Sequence, residues 1–158
     1  MIKNSESGRS MIEMLGVLLI MGVITVAAVQ GITAAYRSQK RTEVMDDVVK
    51  ITTGVRQLLG DYDDFSGIDG NTIFAAIGVS NKNPFGGKYS IAPEGDKRRF
   101  VVSLDGLNTS DCEYFKAKAW PDSAIYRESN GRQSGATASP TNCGDGNGKN
   151  KISIIFGE

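Results

Sequence analysis

The stretch MIEMLGVLLIMGVITVAAVQGITAAY, residues 11–36, constrains this chain more than any other. It carries a single charge, Glu13, in about 26 residues, and as a helix it would reach about 39 Å, enough to cross a hydrocarbon layer of about 30 Å. An ionised Asp at the centre of such a layer costs about 2.5–3.5 kcal/mol on insertion scales, so a carboxylate inside this run needs a compensating partner. Basic residues bracket the run, Lys3 and Arg9 before it and Arg37, Lys40 and Arg41 after it, which leaves its membrane orientation open. Three readings compete: a plain anchor, a cleaved secretory signal with Ala27, Ala28, Ala34 and Ala35 as small residues for a peptidase, and a specialised segment. Glu13 suits neither of the first two, because a signal core is shorter and uncharged and an anchor gains nothing from an acid one turn inside its start.

Composition removes whole classes of function. The 158 residues fit one modest domain with an appendage, and 18 basic against 18 acidic side chains leave a net charge of zero, with no electrostatic footprint for nucleic acid. Histidine is absent, which excludes Ser-His-Asp and Cys-His nucleophile systems and any zinc site built on imidazole. The two cysteines cannot close a zinc site, and no carboxylate, lysine or tyrosine spacing forms an acid/base pair. A non-enzymatic chain without cofactor or metal is expected.

Past residue 36 the apolar pattern becomes periodic, with Val44, Val48, Ile51, Val55 and Leu58 in steps of four and three, which predicts an amphipathic helix. Its outward face is expected to carry Arg41, Glu43, Asp46, Asp47, Lys50 and Arg56, with Gly60 as the stop. No proline interrupts residues 1–60, so one long helix is predicted. Gly16, Gly22 and Gly31 weaken its first half, each by about 1 kcal/mol relative to Ala. They read either as close packing through small residues or as a segment that unwinds.

The remainder predicts a mixed head. DYDDFSGIDGN is a loop, TIFAAIG a short helix capped by Asn71, and Tyr89-Ser90-Ile91 with Phe100-Val101-Val102 a hairpin across Pro93, Gly95 and Asp96. Lys97, Arg98 and Arg99 read as a solvated basic turn. LNTSDCEYFKAKAW predicts a helix capped by Thr109 or Ser110, residues 127–150 a polar loop, and KISIIFGE a final strand. The acidic loops fail the calcium test: Phe65 follows Asp61 and Asp63 where a third oxygen ligand belongs, and Lys149 spoils DGNGKN.

The residues around Glu13 carry a family resemblance. Gly8 followed by Arg9-Ser10-Met11-Ile12-Glu13 resembles the class III signal of type IV pilins, in which a short basic leader ends in Gly and Glu is the fifth residue of the mature chain. The likeness continues through Leu18-Leu19-Ile20-Met21-Gly22-Val23, similar to members such as the pilins of toxin-coregulated and conjugative thin pili. Asn83-Pro84-Phe85-Gly86-Gly87 resembles the approach to the head-domain sheet of type IVb major pilins, whereas the short leader resembles type IVa, which leaves the subclass open. Arg9 departs from the pattern, since the family usually begins its mature chain with Phe, Met or Leu.

The resemblance implies a prepilin cleaved between Gly8 and Arg9 by a prepilin peptidase, with N-methylation of the new amine. It further implies assembly by inner-membrane pilus machinery into a helical homo-oligomeric filament outside the cell, whose outer partner is a host surface or a recipient cell. Glu13 would then neutralise the α-ammonium of Arg9 in an adjacent subunit and fix the register, while Gly22 and Gly31 would give the helix flexibility in the fibre. A chain carried across a bacterial inner membrane meets oxidising conditions, so Cys112 and Cys143 are expected to pair, as the resemblance also implies. The alternative is a minor pilin or pseudopilin that initiates or tips the fibre and binds a ligand. The expected organisation is a leader over 1–8, a transmembrane and filament-core helix over 9–36, its amphipathic half over 37–60 and a globular head over 61–158. The fold class is α+β: a long N-terminal helix packed on an antiparallel sheet, with a disulfide-bounded C-terminal region.

Overall fold

The helix that opens the chain, α1 (Glu6–Leu59), is continuous over 54 residues in a computed structural model that describes residues 6–60, 65–95, 98–120, 124–129, 132–135, 143–144 and 148–157. Two hydroxyls of its apolar half bond back to the helix, Thr25 Oγ1 donating to the Met21 carbonyl at 2.8 Å and Thr33 Oγ1 to that of Gln30 at 2.9 Å. It ends where expected. Gly60 N donates to the Arg56 carbonyl at 2.7 Å, and a Cβ on Gly60 would stand 2.3 Å from that oxygen, so only glycine fits.

The chain divides into two units, Met1–Gln39 and Lys40–Glu158. In the second, Val44, Val48, Ile51 and Val55 are fully buried and share one core with the sheet, as the periodicity predicted. Leu58 does not continue the stripe: it is 46% exposed, and Leu59 packs against the core instead. A four-residue step from Val55 reaches Leu59, so the expected three-residue step pointed to the wrong side of the last turn.

Helices α2 (Gly70–Ile77) and α3 (Thr109–Ala117) flank five strands: β1 (Tyr89–Pro93), β2 (Arg99–Leu107), β3 (Ala124–Ser129), β4 (Arg132–Gly135) and β5 (Asn150–Gly157). They form one antiparallel sheet in the order β1-β2-β5-β3-β4, an α+β fold. The C-terminal strand β5 is therefore central, with Phe100 opposite Phe156, Val102 opposite Ile154 and Leu104 opposite Ile152, all six fully buried. On the other face Ser103 and Ser153 are paired across the strands with hydroxyls 2.8 Å apart.

Three local expectations need correction. The cap of α2 is Asp69, which accepts from the Asn71 and Thr72 amides; it sits two residues before Asn71 because the helix starts at Gly70. Its carboxyl is held below the ordinary value chiefly by the Thr72 hydroxyl. The cap of α3 is Asn108, whose Oδ1 accepts from Asp111 N at 2.8 Å, rather than Thr109 or Ser110. Residues 127–150 are not all loop: β3 and β4 pair in a register that joins Ser129 to Arg132, and β3 completes its hydrogen bonding on β5. β3 lies inside the sheet between β5 and β4, and its polar run reads as loop in one dimension because the strands it pairs with are not visible in local composition.

The motif Asn83-Pro84-Phe85-Gly86-Gly87 is a structural knot. Asn83 is buried, its Nδ2 donating to the Asp105 carbonyl at 2.7 Å while its Oδ1 accepts from Phe85 N at 2.9 Å and Gly87 N at 3.1 Å. The irregularity in β2 between Leu104 and Leu107 allows this approach, with Gly106 at φ +77°. A Cβ on Gly87 would lie 2.1 Å from the Asp105 carbonyl oxygen.

Candidate assembly surface

Among the described residues every exposed large hydrophobic lies on α1. From Met11 to Val29 these side chains are 52–72% exposed, and the helix is long and apolar enough to cross a membrane. Apolar surface of this extent in one element marks a membrane or protein contact. Glu13, also exposed, lies within it near its start. A Cβ at Gly16, Gly22 or Gly31 would meet nothing within 4 Å, so the fold of the single chain does not require these glycines. The helix runs unbroken between Gly22 and Gly31, as expected for a subunit on its own. Gly8 and Arg9 fall in the first turn of α1, with Arg9 four residues from Glu13.

The head-bearing part of α1 is held by two polar contacts that periodicity had assigned to solvent. Arg41 is half-buried, its Nε donating to Asp111 Oδ1 at 2.9 Å and its Nη2 lying 2.7 Å from the same oxygen. The guanidinium also stands 4.2 Å from the centre of the Tyr114 ring. Asp47 is half-buried too and accepts from the Tyr89 hydroxyl at 3.1 Å. Burial first, and the Asp47 charge second, push the Tyr89 phenol far above its ordinary value, so it remains a neutral donor. Arg41 continues the buried stripe, since 41, 44, 48, 51 and 55 follow helical steps. That spacing was the signal for its inward position.

Breaking a buried pair leaves an uncompensated charge, so Arg41→Ala is expected to destabilise the head by about 3 kcal/mol, while Arg41→Met combined with Asp111→Leu costs markedly less. Urea unfolding of the full chain in detergent, arranged as a double-mutant cycle, checks this. Equal losses in single and double variants would show that the charges do not interact.

Asp111 precedes Cys112, which pairs with Cys143 across 31 residues with Cα atoms 5.8 Å apart. The disulfide is buried, and the Ser129 hydroxyl of β3 lies 3.3 Å from Cys143 Sγ and 3.6 Å from Cys112 Sγ. One locus thus joins α3, β3 and the segment before β5. Asp61 and Asp63, considered for calcium, lie outside the described residues, as do Asp145, Gly146 and Asn147. Among the described residues no cluster of three or more acidic, cysteine or histidine side chains could hold a metal ion.

Comparison with protein-family models and with curated proteins gives no match. The class therefore rests on architecture: a long N-terminal apolar helix, an antiparallel sheet and a C-terminal disulfide, which together make a pilin-like fold.

Proposed function

We propose that this chain is the structural subunit of a type IV pilus-like filament, made as a prepilin, cleaved after Gly8 at the inner membrane and polymerised outside the cell through α1. The supporting observation is the exposed apolar half of α1, with Glu13 placed near its start, on a pilin-like fold. Lipid covers that surface before assembly and the helices of other copies cover it afterwards. A carboxylate that neutral lipid cannot satisfy then finds a cation in only one stagger of the bundle. It selects register more than it adds stability.

Mass spectrometry of filaments sheared from cells tests this. The expected subunit begins at Arg9, carries the Cys112–Cys143 link and dominates the preparation by mass. A chain found only in trace amount beside another major subunit would shift the reading to a minor pilin. A chain retaining Gly8 in the filament would sink the cleavage site.

A further inference from the structure

Within the head unit only two large hydrophobics among the described residues are exposed, Val49 and Leu58, and both line the same groove. It is an open trough of about 490 Å³ between α1 and α2, lined also by Lys50, Thr53, Gly54, Gln57, Ala76 and Ile77. Gly54 sets its depth: a Cβ there would lie 2.2 Å from Ile77 Cγ2, so α2 lies close against α1 only because residue 54 has no side chain. Among the described residues Lys50 is the one charged residue that lines the groove, and its ammonium is well exposed, 4.0 Å from Asp47 Oδ1.

We infer that this groove seats the apolar half of α1 from a second copy of the chain, with Glu13 of that copy meeting Lys50. The inference rests on the filament reading above. Two observations point to this occupant. The groove's exposed apolar residues lie on the same helix as the proposed assembly surface, so burial of one extends burial of the other. The charges also match one to one, since the described lining of the trough carries one cation beside the polar Thr53 and Gln57, and residues 11–36 carry one anion. A carboxylate has lone pairs for several donors, so Glu13 can face Lys50 of one neighbour and the Arg9 amine of another. With parallel helices, setting Glu13 against Lys50 offsets the copies by about 55 Å along the axis at 1.5 Å per residue, and brings Met21 of one beside Leu58 of the other.

The test is a charge reversal at Lys50 in the full-length chain expressed in its own cells. Lys50→Glu is expected to lower filament yield about tenfold, because a like-charge contact in a desolvated seam is strongly unfavourable, whereas Lys50→Arg, which keeps the cation and leaves Glu13 in place to face Arg9, is expected to retain it. Unchanged melting of the detergent-solubilised Lys50→Glu subunit shows that its head is intact. Normal filament yield from Lys50→Glu, or an equal loss of yield from Lys50→Arg, would overturn the inference. Independently of yield, Leu58→Cys and Met21→Cys in one chain should give cross-links between copies on oxidation; their absence from assembled filaments would also overturn it. If the wild-type chain forms no filament at all, the filament reading itself has failed, an outcome distinct from failure of the groove in chains that do assemble.

Discussion

Cys112→Ser is expected to remove about 3.5 to 4 kcal/mol of stability, by the chain entropy that a 31-residue closure takes from the unfolded state. A small domain has about 5–15 kcal/mol in total, so the loss is a large part of what holds the head together. Location adds to the effect. Cys112 follows Asp111, the residue that grips Arg41, and Ser129 of β3 touches both sulfurs, so opening the link also loosens the α3 attachment to α1 and the outer hairpin of the sheet. Thermal melting of the full chain in detergent, with and without reductant, measures this. The variant should melt well below the oxidised wild type and at the temperature of the reduced wild type. A Cys112→Ser chain that melts and assembles like the wild type would mean the link contributes nothing.

Elements that declare themselves locally were legible in the sequence. α1 could be read because no proline interrupts it, its apolar stripe repeats at helical steps, and Gly60 closes it. The β1–β2 hairpin and β5 could be read from β-branched and aromatic runs bounded by turn residues. What escaped depends on partners far along the chain. Arg41 meets Asp111 at a separation of 70 residues and Asp47 meets Tyr89 at 42, and side chains with such partners look like ordinary solvated charges until the fold brings them together. Two misses had local signals. Arg41 occupies the next position of the buried stripe, and the Asn130-Gly131 dipeptide between β3 and β4 is a strong hairpin signal that the polar composition around it obscured. The candidate surface was legible as soon as Glu13 was treated as a cost in need of a partner; the Val49–Leu58 groove was not, since it exists only where α2 lies over Gly54.

Glu13→Ala is expected to leave a subunit that is made, inserted and folded, yet joins filaments at about a hundredth of the wild-type rate or less, on the scale of 3 kcal/mol for a buried cation that has lost its anion. The sign follows from which state contains the charge pair. In the single chain Glu13 is exposed and no packing depends on it, so removing it costs the subunit nothing and even eases insertion into lipid. In the proposed bundle the α-ammonium of Arg9 would enter an apolar environment, where without a carboxylate it would be either expelled or deprotonated. Glu13→Gln separates charge from shape, because the amide keeps the side-chain length and can accept a hydrogen bond but cannot neutralise an ammonium. It should therefore fail almost as badly as Glu13→Ala. Filament yield measured beside the amount of membrane-inserted subunit decides the matter: wild-type yield from Glu13→Gln would reduce the role of Glu13 to a hydrogen bond, and wild-type yield from Glu13→Ala would leave the apolar surface of α1 as the only determinant of assembly.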